Sequence, residues 1–304
     1  MGHKNDHGHS HFNEKREGNR KGLIIALIIT TSIMLLEFFG GLVTNSLALL
    51  SDSGHMLSDA SSLALSLIAL WFASRKPSSQ KTFGYYRFEI LAALFNGFTL
   101  FLISGFIVYE AIQRFNDPPT VASGTMMIIA FIGLSANALS AWFLIKTADV
   151  KDNINLKSAY LHIIGDALGS VGALLAGVCM YLFDWYIADP IISVLVALLI
   201  LKSAWGVLKQ SIHILMEGSP PMMNIKEIGQ VLENIDGVKN VHDLHIWTIT
   251  SGLDSLTCHM LIEDDRDEQI VLQQAINLVK EKYKIEHTTI QIEKSILEHT
   301  ELEV

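Results

Sequence analysis

The chain has 304 residues, of which half are apolar and only 17% charged, and it carries a formal charge of −9. A soluble globule of this length needs more polar surface than that, so most of the chain is expected to face lipid. The acidity is concentrated at one end: residues 217–304 hold 17 acidic against 7 basic side chains and the rest 14 against 15, which speaks against a nucleic-acid partner.

The opening MGHKNDHGHSH is polar, so no cleavable signal peptide is expected. Residues 1–20 read as a flexible tail in which His3, His7, His9 and His11 either gather metal loosely or have no packed role. Six apolar stretches follow, at 21–43, 47–73, 88–115, 125–147, 156–183 and 186–209, each reaching the roughly 20 residues a helix needs to cross the hydrocarbon core. Arg16, Arg20 and Lys21 precede the first; Arg75, Lys76, Lys81 and Arg87 follow the second; Lys146, Lys151 and Lys157 flank the loop between the fourth and fifth. The intervening loops hold no Lys or Arg, although Arg114 borders one of them, and this bias places both termini in the cytoplasm.

Past Ser219-Pro220-Pro221 the periodicity changes. A helical stretch at 225–235, alternating strands at 238–248 and 253–262, an amphipathic helix at 268–283 and a strand at 288–292 give the order αββαβ. That order suits a small α+β domain with helices on one face of a sheet. The expected division is therefore a tail at 1–20, a six-helix transmembrane domain at 21–209 and a cytoplasmic domain at 210–304. Cys179 and Cys258 are the only cysteines, too few for a disulfide framework or a thiolate zinc cluster within one chain.

The second apolar stretch contains His55 and Asp59, and the fifth contains His162 and Asp166 in the same His-x-x-x-Asp spacing. Residues four apart share one helix face, so each pair directs an imidazole and a carboxylate at one spot. Two such helices facing each other supply two nitrogens and two oxygens, a tetrahedral set for a borderline metal such as Zn²⁺. Any one of these side chains alone reads equally as an interhelical hydrogen bond, but ionisable groups at membrane depth are costly, and their duplication points to a functional site.

These residues carry a resemblance. The segments NSLALLSDSGHMLSD (45–59), FGYYRFEILAALFNG (83–97), AYLHIIGDALGSVGA (159–173), ADP (188–190) and VHDLHIWTITSG (241–252) resemble the cation diffusion facilitators, especially the bacterial cobalt-zinc-cadmium resistance exporters. The resemblance covers nearly the whole chain. It implies a polytopic α-helical membrane protein with six spans and a metallochaperone-like αββαβ domain, assembled as a homodimer in the cell membrane. It also implies a secondary transporter, not an enzyme, that exports divalent metal in exchange for protons. By motif match His55, Asp59, His162 and Asp166 take the transport-site roles, and His at position 55 resembles the zinc-preferring version; cadmium and cobalt are the expected further substrates.

In the C-terminal part His242 and His259 fall on adjacent strands and Glu293 closes the last one, so they either meet at one sheet edge or remain ordinary solvated groups. The resemblance implies a regulatory metal at these positions, with His287 as a further ligand; Asp243 and His245 are lesser candidates. The loop SRKPSSQKT (74–82), where relatives often hold another site, has no His, Asp, Glu or Cys, so that site is expected to be missing. Asp52 stands about one turn before His55 and either guides cations inward or closes a helix end. Glu37, within the first stretch, is another buried-carboxylate candidate.

Metal and protons compete for the same ligand atoms, because imidazole must be neutral and carboxylate ionised to hold zinc. A site open alternately to each side therefore exchanges one for the other, and histidine titrates in the working range. An intramembrane hydrolase is disfavoured, since no His-Glu-x-x-His occurs and a closed four-ligand site leaves no position for activated water. A metal sensor with a membrane anchor is the other rival; it would bind no metal in the helical part.

Overall fold

The computed structural model describes residues 8–73, 78–147, 154–250 and 252–294, with the side chains before Ile24, of Ile25, Ser66, Ala69, Leu70, Phe72, Ala73, Ser140 and Ala141, and from Phe143 to Gly165 outside the described set. The chain divides into two compact units: Met1–Trp71 with Ala92–Leu208, and Phe72–Leu91 with Lys209–Val304.

The first unit is helical, built on α1 (Gly8–Thr44), α2 (Leu47–Ala73), α3 (Phe88–Asn116), α4 (Ser123–Thr147), α5 (Ile154–Phe183) and α6 (Ala188–Leu215). Four segments among the described residues are long and apolar enough to cross a membrane: Ala26–Thr44, Phe88–Asn116, Asp166–Phe183 and Ala188–Leu215. Two elements run beyond the bounds expected from the sequence. Residues 8–20, read from the sequence as a flexible tail, continue α1, because each residue added to an existing helix gains a hydrogen bond without a new nucleus. Likewise α6 runs six residues past 209, through a mixed stretch in which Ile212, Ile214 and Leu215 alternate with polar side chains, until Glu217 (φ 59°) turns the chain.

Small side chains form the seams. Ala48 and Leu49 of α2, Ala130 of α4, Ala173 and Ala176 of α5 and Ala188 of α6 share one buried cluster. Leu100 of α3 meets Val196, Ile200 and Ala204 of α6 in another. Alanine at a seam lets helix axes approach closely, the usual source of association where lipid offers no hydrophobic penalty to separation. The large apolar residues point the other way: Phe95, Phe106, Phe131, Leu168 and Leu199 are mostly exposed, a surface that only hydrocarbon tolerates. Between α1 and α2 the chain reverses in two residues, with Asn45 in the left-handed region (φ 59°) that asparagine enters more readily than most.

The second unit holds α7 (Ile225–Glu233), β1 (Val238–Thr250), β2 (Leu253–Ile262), α8 (Glu268–Tyr283) and β3 (His287–Glu293). The sheet order is β1-β2-β3, with β1 and β2 an antiparallel hairpin and β3 parallel to β2. This is the αββαβ order expected from the sequence. Asn224 caps α7 and Asp267 caps α8 through their side-chain oxygens. Ile228 and Leu232 of α7 and Val271, Ala275 and Val279 of α8 bury against Leu256, Cys258, Met260 and Ile262 of β2, so both helices cover the same sheet face. Every second residue of β2, His259 among them, must then face the other way.

Candidate metal centre and its surroundings

In α2, His55 and Asp59 lie one turn apart and point to the same place. His55 Nδ1 stands 3.4 Å from Asp59 Oδ2 and 3.5 Å from Asp166 Oδ1, which comes from α5. One ligand atom from each of the three falls within 4.8 Å of the others. These separations carry chemical information: zinc bound at about 2.1 Å by four donors in a tetrahedron spaces those donors by roughly 3.4 Å. The two separations from His55 Nδ1 thus have the length a zinc ion requires. His162 lies on α5 one turn before Asp166, but its side chain is outside the described residues.

Around this group lie carboxylates that no simple packing role explains. Asp52, nearly fully buried one turn before His55, accepts the Ser170 hydroxyl at 3.1 Å, and a Cβ on Gly169 would stand only 2.5 Å from its Oδ1. Glu37 of α1 is wholly buried. A third acid, Asp189 at the start of α6, has a clear packing role: it accepts Ser46 Oγ at 2.7 Å, the Leu47 amide at 2.7 Å and the Ala48 amide at 3.1 Å, capping α2 from another helix. Arg114 of α3 stands 3.7 Å from Asp189 and donates to the Asn45 carbonyl at 2.8 Å, so the α1–α2 reversal is held by both. The ADP segment signalled Asp189 in the sequence, but not that its partners would be backbone amides 142 positions away.

In the second unit His242 and His259 are direct cross-strand partners, with ring centroids 5.4 Å apart on the face opposite the helices. Glu293, buried at the end of β3, reaches both: its Oε1 is 2.7 Å from His259 Nδ1 and its Oε2 3.7 Å from His242 Nε2. Burial opposes ionisation of Glu293, yet the hydrogen bonds from His259 and Gln291 and the two imidazoles outweigh it and hold its carboxyl below the ordinary value. The register shift between His242 and His245 explains why the trio forms. Asp243 adopts φ 49° in a bulge, so Val241 and Leu244 both pack toward the core while His242 faces outward. Asp243 also bonds His245 at 2.8 Å and stands 3.8 Å from His259 Nε2. His287 is not brought to this group. It opens β3, about 20 Å of strand rise from Glu293, and packs edge-on against Phe83.

Of the remaining expectations, His3 and His7 lie outside the described residues, as does 74–77 of the loop expected to lack a site; His9 and His11 fall on α1 with side chains undescribed.

Comparison with known proteins adds two matches along the chain: residues 23–216 match the cation efflux transmembrane domain, and residues 220–295 the cation efflux protein cytoplasmic domain. The chain is 48% identical to the cadmium, cobalt and zinc/H(+)-K(+) antiporter of Bacillus subtilis, over 96% of this chain and 94% of that protein. It is 44% identical to the zinc transporter ZitB of Pectobacterium atrosepticum, over 94% and 88%, and 40% identical to the cation efflux system protein CzcD of an Alcaligenes species, over 94% and 90%. Among solved structures, the metal-bound C-terminal domain of the CzcD transporter from Cuprividus metallidurans is 36% identical, covering 23% of this chain and 99% of that one with a TM-score of 0.23.

Proposed function

Because this chain belongs to the cation efflux family, we propose that it is a secondary transporter that moves a divalent metal ion, chiefly zinc and also cadmium or cobalt, out of the cytoplasm in exchange for protons. The reading includes six membrane spans, both termini in the cytoplasm, residence in the plasma membrane and assembly as a homodimer. His55, Asp59, His162 and Asp166 are the transport ligands. The observation that supports this most directly is the pair of 3.4 and 3.5 Å spacings around His55 Nδ1, which match the edges of a zinc tetrahedron.

Transport follows from competition at these atoms. Zinc requires a neutral imidazole and ionised carboxylates, so protonation of the ligands expels it and deprotonation readmits it. When the site opens to the more acidic side, protons displace the ion; when it opens to the cytoplasm, they leave and metal enters. In the cytoplasmic domain His242, His259 and Glu293 would hold a further metal ion, which replaces the proton shared between His259 and Glu293 and so senses cytosolic supply.

Proteoliposomes test the function. Zinc should enter inside-out vesicles as protons leave, with a rate that follows an imposed pH gradient; zinc movement indifferent to that gradient rules out antiport. Residues 218–304 can be deleted to separate a transporter from a sensor: the transporter retains metal binding in the helical domain.

A further inference from the structure

Glu37 is the most deeply buried acid among the described residues of the helical unit. None of its surface is exposed, and neither carboxylate oxygen has a hydrogen-bond partner among the described residues. Its surroundings are built to receive it. A Cβ on Gly133 of α4 would collide with Glu37 Oε1 and come within 3.4 Å of the Ser170 hydroxyl of α5, so both polar groups converge over a glycine that leaves them room. Ser170 in turn donates to Asp52 of α2. The charged groups facing Glu37 are Asp52 from α2 and Asp166 from α5, both acids; α4 presents Gly133 and no charged side chain among the described residues.

A carboxylate ion so placed has lost its hydration, meets no donor among the described residues and sits beside other acids. Each of these conditions is relieved by one positive charge. Glu37 and Asp52 stand eight and seven residues from Asn45, a depth of about 10–12 Å below the α1–α2 turn, whereas His55 and Asp59 are one to two turns deeper. The acid pair thus occupies its own level, between the turn and the metal ligands.

Resting on the antiport reading above, we propose that Glu37 is a proton-carrying group of the transport cycle, a cation position separate from the metal ligands. It takes one proton from water on the side of the α1–α2 turn when the bundle opens there, and yields that proton to cytoplasmic water when the bundle opens the other way. The Asp52–Ser170 pair lies on the same route and holds the polar path beside it.

Glu37→Gln keeps the shape and removes the titration. Steady-state zinc accumulation in proteoliposomes, measured against an imposed gradient of one pH unit, reads the number of protons exchanged per zinc. Each proton lost lowers that accumulation about tenfold. The expected result is a drop of about tenfold in Glu37→Gln, while zinc binding to the solubilised protein stays within about twofold of wild type because the metal ligands are untouched. Equal accumulation in the two proteins overturns the inference and leaves antiport standing; a wild type that ignores the gradient overturns the antiport reading itself. Should the variant fail to assemble, the wild type answers alone. Dicyclohexylcarbodiimide attacks protonated carboxyls in apolar surroundings, so peptide mass spectrometry should find Glu37 modified, and more at low pH than at high. No modification of Glu37 at any pH also overturns the proposal.

Discussion

The carboxylate of Asp189, at the start of α6, accepts the backbone amide of Leu47 at 2.7 Å and so caps α2 from a different helix. The first turn of a helix carries amides with no intrahelical acceptor, and within a membrane no water replaces one. Capping from α6 therefore fixes where α2 begins, and with it the height of His55 and Asp59. Asp189→Ala is expected to lose about 1–2 kcal/mol of cap stabilisation and to leave Arg114 with Glu110, 3.0 Å away, as its acidic partner. The thermal midpoint of the detergent-solubilised protein should fall and zinc flux should drop sharply, with Asp189→Asn intermediate because one oxygen still accepts. An unchanged melting curve for Asp189→Ala would show that the cap is not what holds α2.

Asp59→Ala and Asp166→Ala each remove one corner of the proposed tetrahedron. Zinc affinity at the membrane site should fall by more than the roughly 10–100-fold seen on losing an outer-shell partner, and flux should vanish with the protein still inserted. Calorimetric titration of the purified variants checks the first expectation and vesicle uptake the second. Full activity in either variant dismisses the ligand assignment.

His55→Asp exchanges a nitrogen donor for an oxygen in a site whose other described donors are already carboxylates. Larger or harder cations gain from that exchange. Competition assays should show manganese and cadmium displacing zinc more effectively in the variant than in wild type; an unaltered order of preference would place His55 outside the selectivity determinant.

Glu293 ionises more readily than an ordinary carboxyl because of His259, Gln291 and His242, although burial works against it. A depressed folded value means the ion stabilises the fold above the unfolded value, and this contribution disappears as pH falls through the folded value. Acidification below the usual carboxylate range should therefore loosen β3 first. Hydrogen exchange of the full-length protein should show peptides spanning 287–293 losing protection as pH falls toward that range, and Glu293→Gln should be unprotected already at neutral pH.

Burial pushes the Cys258 thiol up to about 12 and leaves it among core side chains of β2. Thiolate is the reactive form, so the residue should resist alkylation at pH 8 in the folded protein and react only after denaturation. Peptide-level mass spectrometry after iodoacetamide treatment tests this, with rapid labelling of Cys258 in native protein as the contrary outcome.

Much of this protein is written in local order. The apolar runs, the duplicated His-x-x-x-Asp, the cytoplasmic αββαβ order and the turn at Ser219-Pro220-Pro221 all follow from spacing along one dimension, because helix and strand periodicities are local properties. The extension of α1 back to Gly8 was not legible, since polar residues continue a helix already nucleated without raising hydropathy. Tertiary structure alone decided three things: that Asp189 caps α2, that Glu37 and Ser170 both approach Gly133, and that the Asp243 bulge turns His242 outward toward His259 and Glu293 while His287 stays at the far end of its strand. Each depends on which face of one element meets another, and that is set by close packing between segments remote in the chain, to which no periodicity within a single segment refers.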